Sequence, residues 1–421
     1  MGTIAHEVVA NTLNELHVAI NKCEIDLAEQ LLKKSKESLK HKEEKMKRLK
    51  ALFILMSILI VTCSCDLQPT GNKTERNNNK TGLKNISKGD FIVGFSHTLD
   101  RGSELAIYKD DGSVEDSIMI KDGINLSTSS YNKDDTFFSS NRSNNHFMIN
   151  NKTGRIKKFN DKSLSKATED EGAFFINTSE NYVLHDINVG YTDSGLQGEL
   201  VYWKDDKQKK NQIKLDGEIV SAQVLDNKIY AITSDEENMS IISINPKTNK
   251  QEKKASIPNK TVYFTDDKDA FQIFDERTFM LAINDNVNEK EASKILLIDK
   301  ETLKTKKEVV MENGFIPTKL KRINDEIVAV SYNGKVSFFD ENLNKKKSFK
   351  FYAGNKEMLL NDIKFGDSNM YVLIKGFDMQ KENVLGEITS YDLKSGKKVN
   401  TTPLKAKKEW EIARFELLHN E

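Results

Sequence analysis

The chain is predicted to be all-β over most of its length: a seven-bladed β-propeller of four-stranded antiparallel blades, preceded by an N-terminal helix or signal segment and a disordered tether. Three observations predict it. A turn-and-strand unit recurs seven times, its period alternates regularly, and one strand is left over at the C-terminus. Recurrence at 40–50 residues is the signature of a blade architecture.

Composition sets the outer limits. The 421 residues carry 64 Lys+Arg and 64 Asp+Glu. Residues 1–64 hold 10 basic and 8 acidic side chains, which leaves 54 against 56 beyond them, a net of −2. A nucleic-acid surface normally shows a basic excess, so no nucleic-acid partner is expected. Five prolines and 37% hydrophobic residues suit many short, half-exposed strands better than a thick α/β core. All three cysteines, Cys23, Cys63 and Cys65, lie in the first 65 residues. The expected folded domain therefore has no disulfide, thiolate metal site or cysteine nucleophile.

In chain order, residues 1–45 come first. Ile4, Val8, Val9, Leu13, Leu16, Ile20, Leu27 and Leu31 follow helical spacing, and residues 33–45 are heavily charged. Two readings stay open: a helical extension before an internal signal, or a start assigned too early, with Met46 as the true start. One possible coding of Lys42-Glu43-Glu44 is a purine-rich ribosome-binding sequence just upstream of Met46.

Residues 46–65 read MKRLKALFILMSILIVTCSC. Lys47, Arg48 and Lys50 precede an apolar run of 11 residues, 51–61, which is too short to span a bilayer but fits a signal-peptide core. The segment resembles a bacterial lipoprotein signal. That resemblance implies lipidation of the cysteine after the cleavage site, here Cys65, because small Ser64 precedes it; Cys63, behind the bulkier Thr62, is the alternative. Thr62 stands where the family prefers Leu three positions before cleavage at Cys65. Residues 66–87 are polar and Asn-rich and are expected to form a flexible tether.

Residues 88–421 carry the repeat. An apolar strand runs into a polar turn and then a lysine-rich strand, as in FMINNKTGRIKKF, ISINPKTNKQEKK and SYDLKSGKKV. The turns open at Lys109, Asn150, Lys204, Asn245, Asp299, Asp340 and Asp392, spaced 41, 54, 41, 54, 41 and 52 residues apart. A second pattern, such as LDNKIYAI or INDEIVAV, supplies a preceding hairpin. The 334 residues divided among seven units give about 48 each, enough for four strands. Asp, Asn and Gly dominate the turns because they tolerate the dihedrals of tight hairpins. Before Lys109 there is room for only two strands, near Phe91–Ser96 and 104–108, while 410–418 (WEIARFELL) is surplus. This last segment is expected to close the ring as the innermost strand of the first blade, leaving few free edges.

These turns, Asn150 to Gly154 and Asp392 to Gly396 most closely, resemble the repeats of quinoprotein-like and YVTN-type propellers. The resemblance implies blade architecture and little about activity. Quinone-cofactor members carry a tryptophan in most repeats, whereas this chain has only Trp203 and Trp410, so no cofactor is expected.

No phosphate-cradling loop, zinc-finger spacing or GxSxG elbow occurs. His97, His146, His185 and His419 are scattered among the repeats and read as isolated loop or strand residues, with no metal site expected. Asp110-Asp111-Gly112 reads as a turn, lacking the further carboxylates of a calcium loop. Lysine runs at 207–210, 304–307 and 345–347 fall near the turn into each outermost strand, where lysine discourages edge pairing. The longer periods place extra residues at 190–198, 284–293 and 376–386, read as three enlarged loops on one rim. Tyr191, Asp193, Gln197, Asn288, Glu289, Phe377, Asp378 and Gln380 are the candidate contacts there. The expected role is a monomeric, non-catalytic binding or scaffold propeller for a protein or cell-envelope ligand, lipid-anchored to the outer leaflet of a bacterial plasma membrane. The alternative is a propeller enzyme, a lyase or hydrolase acting at the mouth of the central channel.

Overall fold

The structure is a computed structural model. It describes residues 82–161, 172–192, 195–204, 209–235, 239–257, 268–287, 290–331, 333–351, 358–376, 384–405 and 410–419. The helical extension 1–45, the signal segment with Cys63 and Cys65, and residues 66–81 lie outside them.

The first strands are β1 (Phe91–Ser96), β2 (Ser103–Tyr108) and β3 (Val114–Ile120). Blade 2 is β4 (Thr128–Tyr131), β5 (Asp135–Ser139), β6 (His146–Asn150) and β7 (Ile156–Phe159). Blade 3 is β8 (Ile176–Ser179), β9 (Tyr182–Thr192), β10 (Gly195–Lys204) and β11 (Asn211–Asp216). Blade 4 is β12 (Glu218–Leu225), β13 (Lys228–Ser234), β14 (Met239–Asn245) and β15 (Lys250–Ile257). Blade 5 is β16 (Phe271–Asp275), β17 (Thr278–Val287), β18 (Lys290–Asp299) and β19 (Thr305–Val310). Blade 6 is β20 (Pro317–Ile323), β21 (Glu326–Ser331), β22 (Lys335–Phe339) and β23 (Lys345–Lys350). Blade 7 is β24 (Met358–Phe365), β25 (Asn369–Gly376), β26 (Val384–Asp392) and β27 (Lys398–Lys405), and the last strand is β28 (Glu411–Leu417).

These strands form seven four-stranded antiparallel sheets. Blade 1 has the order β28-β1-β2-β3, so the chain's last strand is the innermost strand of its first blade, as the surplus segment predicts. Its register runs from Phe91↔Leu417 to Ser96↔Glu411, with one bulge at Gly94/Phe95.

Among the described residues, the turns from third to fourth strand occur where the repeat predicts, and their side chains explain the spacing. Asn150 Oδ1 accepts the Thr153 amide at 3.0 Å, Asp299 Oδ1 the Thr302 amide at 2.8 Å, and Asp392 Oδ1 the Ser395 amide at 2.7 Å. Four residues after each opener the backbone turns left-handed, at Gly154 (φ 68), Leu303 (φ 55) and Gly396 (φ 69). Leucine is unfavourable there, but Leu303 is 4% exposed and packs among Phe279, Leu281 and Ile298, which offsets the strain.

Each blade is apolar on both faces, so a separate core fills every interface between neighbours. Among the described residues seven clusters result, with 10–13 buried hydrophobic residues in six of them. The cluster between blades 2 and 3 has six such residues among those described: Phe137, Ile176, Val183, Ile187, Val201 and Trp203. Polar side chains take the remaining space there.

The innermost strands run parallel around the axis, shown by hydrogen bonds that keep a constant offset. The Ile176 and Thr178 amides donate to Thr128 and Ser130, both 48 residues earlier. Asn177 and Ser179 side chains donate to Ala222 and Val224 carbonyls, both 45 residues later. A charged chain completes the circle. Lys319 meets Asp269 at 2.6 Å and Asp362 at 3.2 Å; Lys364 meets Asp362 at 3.6 Å and Glu416 at 2.6 Å.

Part of the expected tether packs onto the ring. Leu83 and Ile86 are 2% and 3% exposed, within the core between blades 1 and 2. Gly82 bridges Arg155, and the Leu83 amide donates to the Gly154 carbonyl at 2.8 Å. Two apolar residues in a polar stretch suffice because a hydrophobic groove already exists to receive them.

Candidate functional site

Two regions stand out: the rim built by the long second-to-third-strand hairpins, and a polar cluster buried between blades 2 and 3.

On the rim, the described residues of the stretches read as enlarged loops in blades 3 and 5 are extended ladder. β9 and β10 stay paired to Thr192↔Gly195, and β17 and β18 to Val287↔Lys290. Asn284↔Ser293, Asp285↔Ala292 and Asn286↔Glu291 are regular strand partners. Apolar alternation stops in this stretch while backbone pairing continues, because hydrogen bonding between strands does not require apolar side chains. Sequence periodicity therefore reads it as loop. These hairpins have strands of 10–11 residues, against five in β5 and β6 and seven in β13 and β14.

Of the candidate contacts, Gln197 is half-buried in β10, opposite Gly190, and bridges Gly217. Tyr191 lies in β9 opposite Leu196. Asp193, Asn288, Glu289, Phe377, Asp378 and Gln380 fall outside the described residues. The lysine runs at 304–307 and 345–347 fall in or beside β19 and β23, which are outermost strands. Lys210 does not: it turns inward to Asp161.

The second region brings together residues that sequence reading keeps apart. His146 opens β6, His185 sits in β9, and Asp161 follows β7. Their residues are 1%, 0% and 0% exposed. His146 Nε2 and His185 Nε2 each lie 3.4 Å from Asp161 Oδ2, and the two imidazole rings are 5.1 Å apart. Lys210 Nζ donates to Asp161 Oδ1 at 2.6 Å and to the Asn160 carbonyl at 3.0 Å. The Asp161 amide donates to Asn144 Oδ1 at 2.9 Å. Phe159 and Trp203 wall the site, with Lys210 Nζ 4.6 Å and 5.0 Å from their ring centres.

The local fold explains the convergence. His146 is the β6 partner of Phe159 and His185 the β9 partner of Ile176 and Val201, so each histidine projects from its sheet into the same interface. The two histidines are thus not isolated, contrary to the sequence expectation. Their 39-residue separation carries no motif, since the contact is made between blades. His97 stacks edge-on to Trp410 elsewhere, with ring centres 5.8 Å apart.

Electrostatics follow from burial. Desolvation pushes His146 down to about 4, outweighing the attraction of Asp161. Burial also favours the neutral acid at Asp161, but His185, His146 and Lys210 together hold its carboxyl well below the usual range. Next to His185, desolvation pushes the Asp186 carboxyl up to about 7, although it accepts the Phe175 amide at 2.9 Å. The arrangement is a neutral imidazole and an ionised carboxylate held in a dry interface.

Solved structures to which the chain is similar include the following three. One is titled dihydro-heme d1 dehydrogenase NirN in complex with DHE: TM-score 0.48, 10% identity, over 84% of this chain and 80% of that one. Another is BamB from Moraxella catarrhalis: TM-score 0.43, 13% identity, over 76% of this chain and 84% of that one. The third is Chaetomium thermophilum Raptor: TM-score 0.46, 11% identity, over 68% of this chain and only 25% of that one. No family model and no curated protein matches the sequence.

Proposed function

We propose that this protein is an extracytoplasmic binding or scaffold propeller, tethered to a bacterial membrane through a lipid on Cys65 and engaging a protein or envelope ligand with its hairpin-bearing rim. One observation carries the reading. Blades 3 and 5 extend their second-to-third-strand hairpins well beyond those of blades 2 and 4, on a ring closed by its own last strand. Extended structure raised on a rigid scaffold is where recognition tends to sit. The signal-like segment 46–65 supports export, with Cys63 as the alternative lipid site.

The rival reading, an enzyme with its site at the channel mouth, gains little from the His146–Asp161–His185 cluster. Its histidines lie on a third and a second strand and its aspartate follows a fourth, away from the innermost strands around the axis. Its buried side chains suit an ion better than a substrate.

The test compares the full chain with a variant whose β9–β10 and β17–β18 hairpins are cut to the length of β13–β14. Both are cross-linked in envelope membranes and their partners identified by mass spectrometry. Partners lost only from the shortened variant support the rim. Partners retained unchanged overturn it. Separately, Cys65→Ser should release the protein from membranes, and intact-mass analysis should find acylation on Cys65; an unacylated, soluble wild type removes the anchor from the proposal.

A further inference from the structure

We propose that His146, Asp161 and His185 form a binding site for a first-row divalent cation of zinc-like preference, clamped between blades 2 and 3. The donor atoms lie within 4.8 Å of one another, and both Nε2–Oδ2 separations are 3.4 Å. A tetrahedral shell with bonds of about 2.0–2.1 Å sets its donors roughly 3.3 Å apart, which both histidine–aspartate separations match.

Hydrogen bonding makes the same demand independently. His185 Nδ1 lies 3.0 Å from the Asp186 carbonyl oxygen, which can only accept. The ring proton therefore belongs on Nδ1, and the Nε2 lone pair points toward Asp161. Among the described residues, neither His185 Nε2 nor Asp161 Oδ2 has a hydrogen-bond partner. Two buried lone pairs facing each other are unfavourable unless a proton or a metal ion lies between them. Lys210 does not supply it, because its ammonium is engaged with Asp161 Oδ1 on the other side of the carboxylate.

The surroundings suit a ligated metal. The Asp186 carbonyl orients one imidazole, and Lys210 and the Asn144 side chain orient Asp161, the supporting contacts metal ligands require. Two imidazole nitrogens and one carboxylate oxygen favour zinc and its neighbours over magnesium or calcium, which take oxygen shells. Three protein ligands leave one position for a water or a further donor. The ion would join β6, β9 and the segment after β7, in the interface that has the fewest apolar residues among those described.

The experiment uses the full chain without an affinity tag, stripped with a chelator and titrated with zinc by calorimetry and elemental analysis. Wild type should bind about one equivalent more than His185→Gln or Asp161→Asn, both checked for folding by circular dichroism. Zinc should raise the melting temperature of wild type and not of either variant. Lys210→Met should retain the metal, because it removes only a supporting contact. Should both variants fail to fold, X-ray absorption at the zinc edge of wild type decides: a nitrogen and oxygen shell with imidazole scattering is expected. Equal stoichiometry in folded variants, no zinc retained by wild type, or a sulfur-dominated shell from Cys23, Cys63 or Cys65 would overturn the site.

Discussion

The Ser129 hydroxyl donates to the Glu416 carboxylate at 2.6 Å, across 287 residues of sequence. The same carboxylate oxygen accepts Lys364 Nζ at 2.6 Å, so one side chain of the closing strand is held by blades 2 and 7 at once. Arg414 adds a second clamp, donating to the Ser127 carbonyl at 2.5 Å and the Asn361 carbonyl at 2.7 Å. Closure is thus secured by buried polar contacts on both sides of β28 as well as by its pairing with β1.

Removing the Glu416 carboxylate should therefore weaken the ring as a whole. Glu416→Ala takes from Lys364 its 2.6 Å partner and leaves it only Asp362 at 3.6 Å, in a site where Glu416 is 5% exposed. Breaking a buried ion pair costs up to about 3 kcal/mol, and the remaining Asp362 contact offsets part of it. Urea unfolding should show a lower midpoint, and deletion of 410–421 should lower it further. An unchanged midpoint for Glu416→Ala would show that the clamp adds nothing to closure.

Acid should attack the same belt. Burial alone would raise the Asp362 carboxyl, but Lys364, Lys319 and Arg414 outweigh it and hold the group at about 2. A folded-state value below the unfolded one means the unfolded chain binds the proton more readily. The contribution is then complete above the ordinary value of 3.8 and is lost as pH falls toward 2. It amounts to roughly 2 kcal/mol. Melting curves taken between pH 5 and pH 2 should converge for wild type and Asp362→Asn at the acid end and differ most at the upper end. Parallel curves throughout that window would contradict the assignment.

Two glycines separate dihedral strain from crowding. Gly154 and Gly314 both have positive φ, 68 and 74. A Cβ on Gly154 would lie 1.7 Å from the Leu83 carbonyl oxygen, whereas one on Gly314 would meet nothing within 4 Å. Gly314→Ala should cost about 1 kcal/mol, the strain of a left-handed alanine. Gly154→Ala should cost roughly 3 kcal/mol or more and dislodge the segment carrying Leu83 and Ile86. Hydrogen exchange of residues 82–88 should rise in the second variant only; protection in both would mean that the segment does not depend on this turn.

The sequence alone determined the architecture because that information is local and repeated. Each Asx turn writes its own signature within five residues, as at Asn150 and Asp392, and seven turns at six regular spacings leave little choice of blade number. The surplus strand also named its place, since only blade 1 lacked a partner for it. Tertiary structure alone decided that residues 284–287 and 290–293 continue a hairpin ladder, that Leu83 and Ile86 dock on the ring, and that His146, Asp161, His185 and Lys210 converge. The physical reason is the same in each case. Strand extension rests on backbone pairing, and docking and clustering arise where faces of neighbouring blades meet, contacts that leave no periodic mark in a single sequence.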